Sequence, residues 1–163
     1  MTLPDVTEVA MRLAAATLIG GTIGLNREMR HRPAGLKTHA LVGLGAALIT
    51  SVTAALTTIQ QPDIAAVSRV IQGLIAGIGF LGGGAILKTE DEVRGVTTAA
   101  TIWVVAALGI ACGAGFFVSA LIALVITLLV LVVGNRIERA IAKKHPNAPS
   151  GLPRPSGSGP ERP

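Results

Sequence analysis

Three short polar runs interrupt an otherwise apolar chain: Asn26-Arg27-Glu28, Thr38-His39, and Thr97-Thr98 followed by Thr101 and Trp103. An amide, a guanidinium, a carboxylate, hydroxyls and an imidazole suit the holding of an ion, a small solute or a partner's polar group through charge-assisted hydrogen bonds. They do not suit covalent chemistry. No Ser lies in GxSxG, and neither HExxH nor HxE occurs. Cys112 stands alone with no nearby cation and reads as an inert small hydrophobe. The expectation is a protein that is not an enzyme and needs no cofactor. The hexapeptide from Gly77 to Gly82 spells GxGxxG, but a dinucleotide fingerprint needs a preceding strand and a distant acid, and this one lies in a hydrophobic stretch.

The acids limit the ion chemistry. All nine Asp and Glu fall in loops, tails or helix mouths. A transporter carrying a divalent cation across a bilayer generally lines its path with oxygen ligands, commonly carboxylates. A site made from Thr, Asn and backbone carbonyls stays open.

The elements that must position these residues follow from composition. Half of the 163 residues are hydrophobic and 14% are charged, against about a quarter in soluble domains; the mean hydropathy is +0.64. The net charge of +5 does not indicate nucleic acid, because Tyr is absent and Phe80, Trp103, Phe116 and Phe117 all lie in apolar stretches. The composition predicts an all-α, polytopic transmembrane bundle of about five spans. The first runs from Val6 to Asn26 if Glu8 and Arg12, four apart, pair at the helix mouth while Arg12 snorkels. The second is Thr38 to Gln61 and the third Val70 to Leu87, with Arg69 and Gln72 at its start. Gly95 to Asn135 holds 41 residues and no ionisable side chain except Cys112, too long for one helix. Gly113-Ala114-Gly115 is where it folds into two. Residues 1–140 thus form the membrane domain. Residues 141–163, with six of the nine prolines, read as a disordered, basic Pro/Gly/Ser tail on the cytoplasmic side, with no soluble domain after the bundle.

Charge orients the bundle. Twelve of the 14 Lys and Arg fall on one predicted face, leaving Arg12 and Arg69 for the other. The positive-inside rule then predicts the N-terminus outside and the C-terminus inside. Acidic Asp5 and Glu8 argue against a cleaved signal peptide. A weak internal repeat aligns Leu18–Gly24 with Leu74–Phe80 and Gly35–Thr38 with Gly95–Thr98, implying a parallel two-plus-two arrangement. Gly20/Gly24, Gly73/Gly77, Gly79/Gly83 and Gly109/Gly113, each four apart, predict close helix packing. Gly82-Gly83-Gly84 suggests a frayed or broken helix end that exposes backbone groups. If the first four helices form a bundle, the three polar runs meet at one level. There Glu28 would pair with Arg27 or Lys37, and the threonines would cap helix starts. Interface anchoring alone is the competing account, and Arg69 reads first as such an anchor.

Four segments, Asn26–Glu28, Ala34–Val42, Gly77–Gly82 and Val93–Trp103, resemble the MgtC/SapB membrane proteins, over roughly residues 10 to 133. Lys37 stands where Arg is more usual and Gly83 where Ala is common. The resemblance implies a multi-pass protein of the bacterial inner membrane, associated with magnesium limitation, acid or phosphate stress and survival of pathogens inside host cells. It further implies regulation of other membrane proteins, whereas the soluble C-terminal domain of many members has no counterpart in this sequence. The candidate functional set is Asn26, Arg27, Glu28, Thr38, His39, Arg69, Gln72, Thr97, Thr98 and Trp103, with Gly20, Gly24, Gly73, Gly77, Gly79 and Gly83 for packing. The expected partners are the lipid bilayer, another membrane protein and further copies of the chain. The sequence leaves three activities open: modulation of magnesium-linked ion homeostasis through a membrane-protein partner, a small oligomeric transporter or channel for magnesium or another cation, or a lipid-handling or assembly role. A reporter fused after Pro62 should be accessible from outside and one after Lys144 from inside; equal accessibility would overturn this topology.

Overall fold

The computed structural model describes residues 5–60, 64–89 and 93–144. Five helices follow in order: α1 Val6–Glu28, α2 Leu36–Gln60, α3 Ile64–Gly84, α4 Val96–Gly113 and α5 Phe117–Lys144. All five contain a stretch long and apolar enough to cross a membrane. Between α3 and α4 lies an unforeseen two-residue ladder, β1 Leu87–Lys88 antiparallel to β2 Val93–Arg94.

Local chemistry accounts for the helix ends. Asp5 caps α1, its side chain accepting from the Thr7 N–H at 3.2 Å, and Glu8 complements the N-terminal dipole. The turn from α4 into α5 is a Schellman closure: Gly115 takes φ +85°, its N–H reaches the Cys112 carbonyl, and the Phe116 N–H reaches that of Ala111. This is the Gly113–Gly115 fold point expected from sequence. Gly95, at φ +88°, opens α4 in the same left-handed region, and a Cβ there would collide with the Ala85 carbonyl oxygen.

Three expected boundaries move. The third helix starts at Ile64 rather than Val70, because Ile64-Ala65-Ala66-Val67 continues the helical pattern, so Arg69 and Gln72 lie within α3 rather than at its start. At the other end α3 stops at Gly84, not Leu87. Gly82 and Gly83 are unbroken helix, so the triple glycine marks a terminus and not an interruption. Finally, α5 runs to Lys144, past the expected domain boundary at residue 140; the remainder of the expected tail lies outside the described residues.

The centre of the bundle is α4, packed on α2, α1, α3 and α5; α1 and α2 also lie against each other. Ile23, Val105 and Cys112 are sealed there, with Ala16, Ala47, Leu108, Ala120 and Leu124 around them. A smaller cluster of Ile78, Ile102 and Ala106 joins α3 to α4. Lipid supplies little force between helices, so backbones must approach closely enough for dispersion contacts to accumulate. They do so across small residues. A Cβ on Gly20 would stand 2.5 Å from the His39 carbonyl oxygen, and one on Gly24 2.6 Å from that of Gly35. On α4, Gly109 and Gly113 would each meet an α2 carbonyl oxygen, of Gly43 and Ala47, at 2.5 Å.

Close approach of the expected kind occurs at Gly20, Gly24, Gly109 and Gly113 and not at the α3 glycines. Positions 73, 77, 79 and 83 have nothing within 4 Å of a would-be Cβ, so these α3 glycines pack against no other part of the described chain. The reason is that α3 touches its neighbours through Ile78 and Gly82, on the opposite side. Gly109→Val should therefore lower thermal stability in detergent by the about 1–3 kcal/mol typical of overpacking. Gly77→Leu should leave the monomer's melting unchanged; equal losses for the two would contradict this packing.

Candidate functional site

Where α1 ends and α2 and α4 begin, polar side chains from the three helices meet. Arg27 lies on the last turn of α1, only 4% exposed. One of its terminal nitrogens, Nη2, donates to the Pro33 carbonyl at 3.1 Å and also to the Thr98 hydroxyl on α4. His39, one turn into α2, is fully buried. Its Nδ1 faces the Gly35 carbonyl at 3.0 Å and its Nε2 the Thr101 hydroxyl at 3.1 Å. Thr101 sits one turn below Thr98 on α4, and its hydroxyl also reaches the Thr98 carbonyl at 2.9 Å. Two cross-helix links thus run in parallel, Arg27 to Thr98 from α1 and His39 to Thr101 from α2.

The hydrogen bonds constrain the imidazole. A carbonyl only accepts, so Nδ1 carries a proton. The single Thr101 hydroxyl proton can serve either the Thr98 carbonyl or Nε2. In the first arrangement Nε2 must itself donate, and the ring is a cation. In the second it is neutral and the Thr98 carbonyl keeps only its helical bond.

Glu28 behaves otherwise than expected. Its carboxylate does not pair with Arg27 or Lys37; Oε2 accepts the Leu36 N–H at 2.8 Å and so caps α2 from the preceding helix. Gly35 makes room for this, since a Cβ there would lie 2.6 Å from that oxygen. Nor do the threonines cap α4, whose N-cap is Gly95 with no side-chain bond. Thr98 is turned inward to Arg27, leaving the start of α4 without a side-chain acceptor.

The other expected site residues divide. Asn26 is half-buried and its Oδ1 is enclosed without a hydrogen-bond partner. Thr38 and Thr97 are exposed beside the network and not part of it. Trp103 is 48% exposed and lines a small apolar recess with Ile75, Ile78 and Ala106. Arg69 and Gln72 are exposed on the first half of α3, towards the opposite end of the bundle. The structure joins Arg27, His39 and Thr98 and holds Asn26 and Glu28 at their edge; it does not bring Arg69, Gln72 or Trp103 to them.

A second polar knot, only half foreseen, closes the opposite end. The expected Glu8–Arg12 ion pair is formed. Arg12 does not simply snorkel, however: Nη1 donates to the Gly113 carbonyl at 2.9 Å, at the C-terminus of α4. Ser51 on α2 donates to the same oxygen at 3.1 Å. The sequence held a signal for Ser51, four residues after Ala47 and eight after Gly43 on one small-residue face of α2. Among the described residues no group of three or more His, Cys, Asp and Glu could hold a metal ion.

Comparison of the sequence with known proteins identifies a family. The sequence pattern of the MgtC family matches residues 13–140. Protein SrpB of Synechococcus elongatus is 43% identical over 140 residues, covering 80% of this chain and 77% of that protein. Protein MgtC of Brucella abortus and Protein MgtC of Salmonella typhimurium are each 44% identical over 118 residues, or 72% of this chain. Those residues are 48% of either relative, so the chain spans about half the length of the MgtC proteins it matches. No solved structure matches the chain.

If His39 and Thr101 form one unit, their removal is not additive. Thr101→Val should cost about 1–3 kcal/mol by stripping a buried partner, and His39→Leu alone should also destabilise. The double variant should recover part of the sum, a coupling of about 0.5–3 kcal/mol in a thermal double-mutant cycle. Additive losses would show that the contact contributes nothing.

Proposed function

The chain belongs to the MgtC family, and we propose that it acts as a non-enzymatic, multi-pass protein of the bacterial inner membrane that modulates magnesium-linked ion homeostasis or stress adaptation by contacting another membrane protein. The observation that carries this reading is the distribution of polarity in the bundle. Five apolar helices make it a membrane protein, yet their buried polar groups are confined to the two ends. Among the described residues Arg27, His39, Thr98 and Thr101 lie at one and Thr50 and Ser51 at the other, where half-buried Arg12 joins them, separated by the packed Ile23, Val105 and Leu108. A continuous cation path needs oxygen ligands along its length. A docking or sensing surface needs them at one end only.

The basic end supplies that surface. Thr38, Thr97, Glu28 and Lys37 are exposed around the buried Arg27–Thr98 and His39–Thr101 links. A partner meeting the exposed groups would press on side chains whose positions are fixed by three helices. Under the charge distribution of the sequence this end faces the cytoplasm.

The rival reading is a small oligomeric transporter or channel. It draws on the glycine side of α3, which lies outside the packed core and beside an apolar groove formed with Ile49, Val70 and Leu74. Liposomes containing the purified chain discriminate between the two. Modulation predicts no magnesium or monovalent-cation flux under any gradient, together with a photo-crosslink from Thr97 or Lys37 to a membrane protein in cells. A flux abolished by Asn26→Ala or Glu28→Ala would instead establish transport.

A further inference from the structure

Among the described residues Arg27 is a charge without a counter-charge. It is 96% covered by protein, being only 4% exposed, and its partners are neutral: the Pro33 carbonyl and the Thr98 hydroxyl. Its Nε is buried and bonded to nothing. The acid next to it in sequence, Glu28, is committed to the Leu36 N–H. The charged group acting on Arg27 is of its own sign, Arg32, whose backbone N–H folds back onto the Arg27 carbonyl at 3.1 Å. The C-terminal dipole of α1 offers partial compensation, about half a charge. The N-terminus of α4, which Thr98 brings alongside, offsets it and has no side-chain cap. A guanidinium held away from water with a bare donor is costly, and removing it from solvent is repaid only by an opposite charge.

We propose that Arg27 is the buried half of an anion site, completed by Arg32 and the uncapped start of α4, and that its ligand is a phosphate group presented by an anionic phospholipid. Three features select this chemistry. The guanidinium and unused helix N–H groups match phosphate oxygens. The loop from Met29 to Gly35 adds exposed Arg32 beside the buried arginine, with Lys37 following at the start of α2. The site lies on the last turn of a membrane span, the depth at which lipid phosphates are found. This goes beyond the proposed function and does not rest on it, because the buried charge requires compensation whether or not a partner protein docks.

The test compares melting of the full chain in phosphatidylcholine nanodiscs, in nanodiscs containing phosphatidylglycerol, and in neutral detergent titrated with inorganic phosphate. Saturating phosphatidylglycerol should raise the wild-type melting temperature by about 5 °C over phosphatidylcholine, while inorganic phosphate has little effect. Arg27→Met should lose that rise, melting at the same temperature with and without phosphatidylglycerol. A rise with inorganic phosphate instead would keep the anion site and reassign its source to the soluble ion. No rise with either, or an equal rise in Arg27→Met, would overturn the proposal. Should Arg27→Met fail to accumulate, Arg32→Gln decides: a diminished lipid response supports the site, an undiminished one refutes it.

Discussion

Every feature of this bundle depends on how closely α1, α2 and α4 approach. Inside a bilayer, apolar side chains gain little by leaving lipid for one another, so association rests on dense contact. Gly20 and Gly24 on α1, and Gly109 and Gly113 on α4, bring those helices to within van der Waals range of α2 backbone carbonyls. Larger side chains would push the backbones apart. The hydrogen bonds at the two ends would then stretch beyond useful length. The small residues are thus the condition for the polar ones, not a separate theme.

The polar links in turn set the register that packing alone leaves loose. Glycine faces can slide along one another at little cost. Arg12 and Ser51 converging on one carbonyl of α4 fix one end; Arg27 and His39 reaching two hydroxyls of the same helix fix the other. In both cases α4 receives and α1 and α2 supply. Helix α5, by contrast, meets the bundle through Ala120 and Leu124, with the half-buried Leu128 and Leu131 packed beside them, and most of its other large side chains are exposed.

Much of this was legible beforehand, and the reasons it was or was not are physical. The spans were readable because charge is costly in hydrocarbon, and the α4–α5 turn because glycine alone takes that conformation easily. Arg27, His39 and Thr98 were readable as polar types at predicted helix mouths. The partners were not. Whether Arg27 turns to Glu28 or across to Thr98 depends on tertiary geometry, and no local rule decides it. The carbonyls of Pro33, Gly35 and Gly113 belong to the backbone and leave no mark in residue identity. Gly73 and Gly77 carry the same spacing as Gly20 and Gly24, yet only the latter pair meets another helix. Spacing identifies a face, not what covers it.

One further consequence lies in the length of α4. Eighteen residues span roughly 27 Å at 1.5 Å each, less than the roughly 30 Å of hydrocarbon in a bilayer, while α5 continues for 28 residues. The central helix is the shortest of the five, and polar side chains close over both of its ends. A bilayer meeting so short a span is accommodated by local thinning or by end side chains that reach out to the interface, and α4 has such side chains against both of its ends, Arg12 at one and Arg27 at the other.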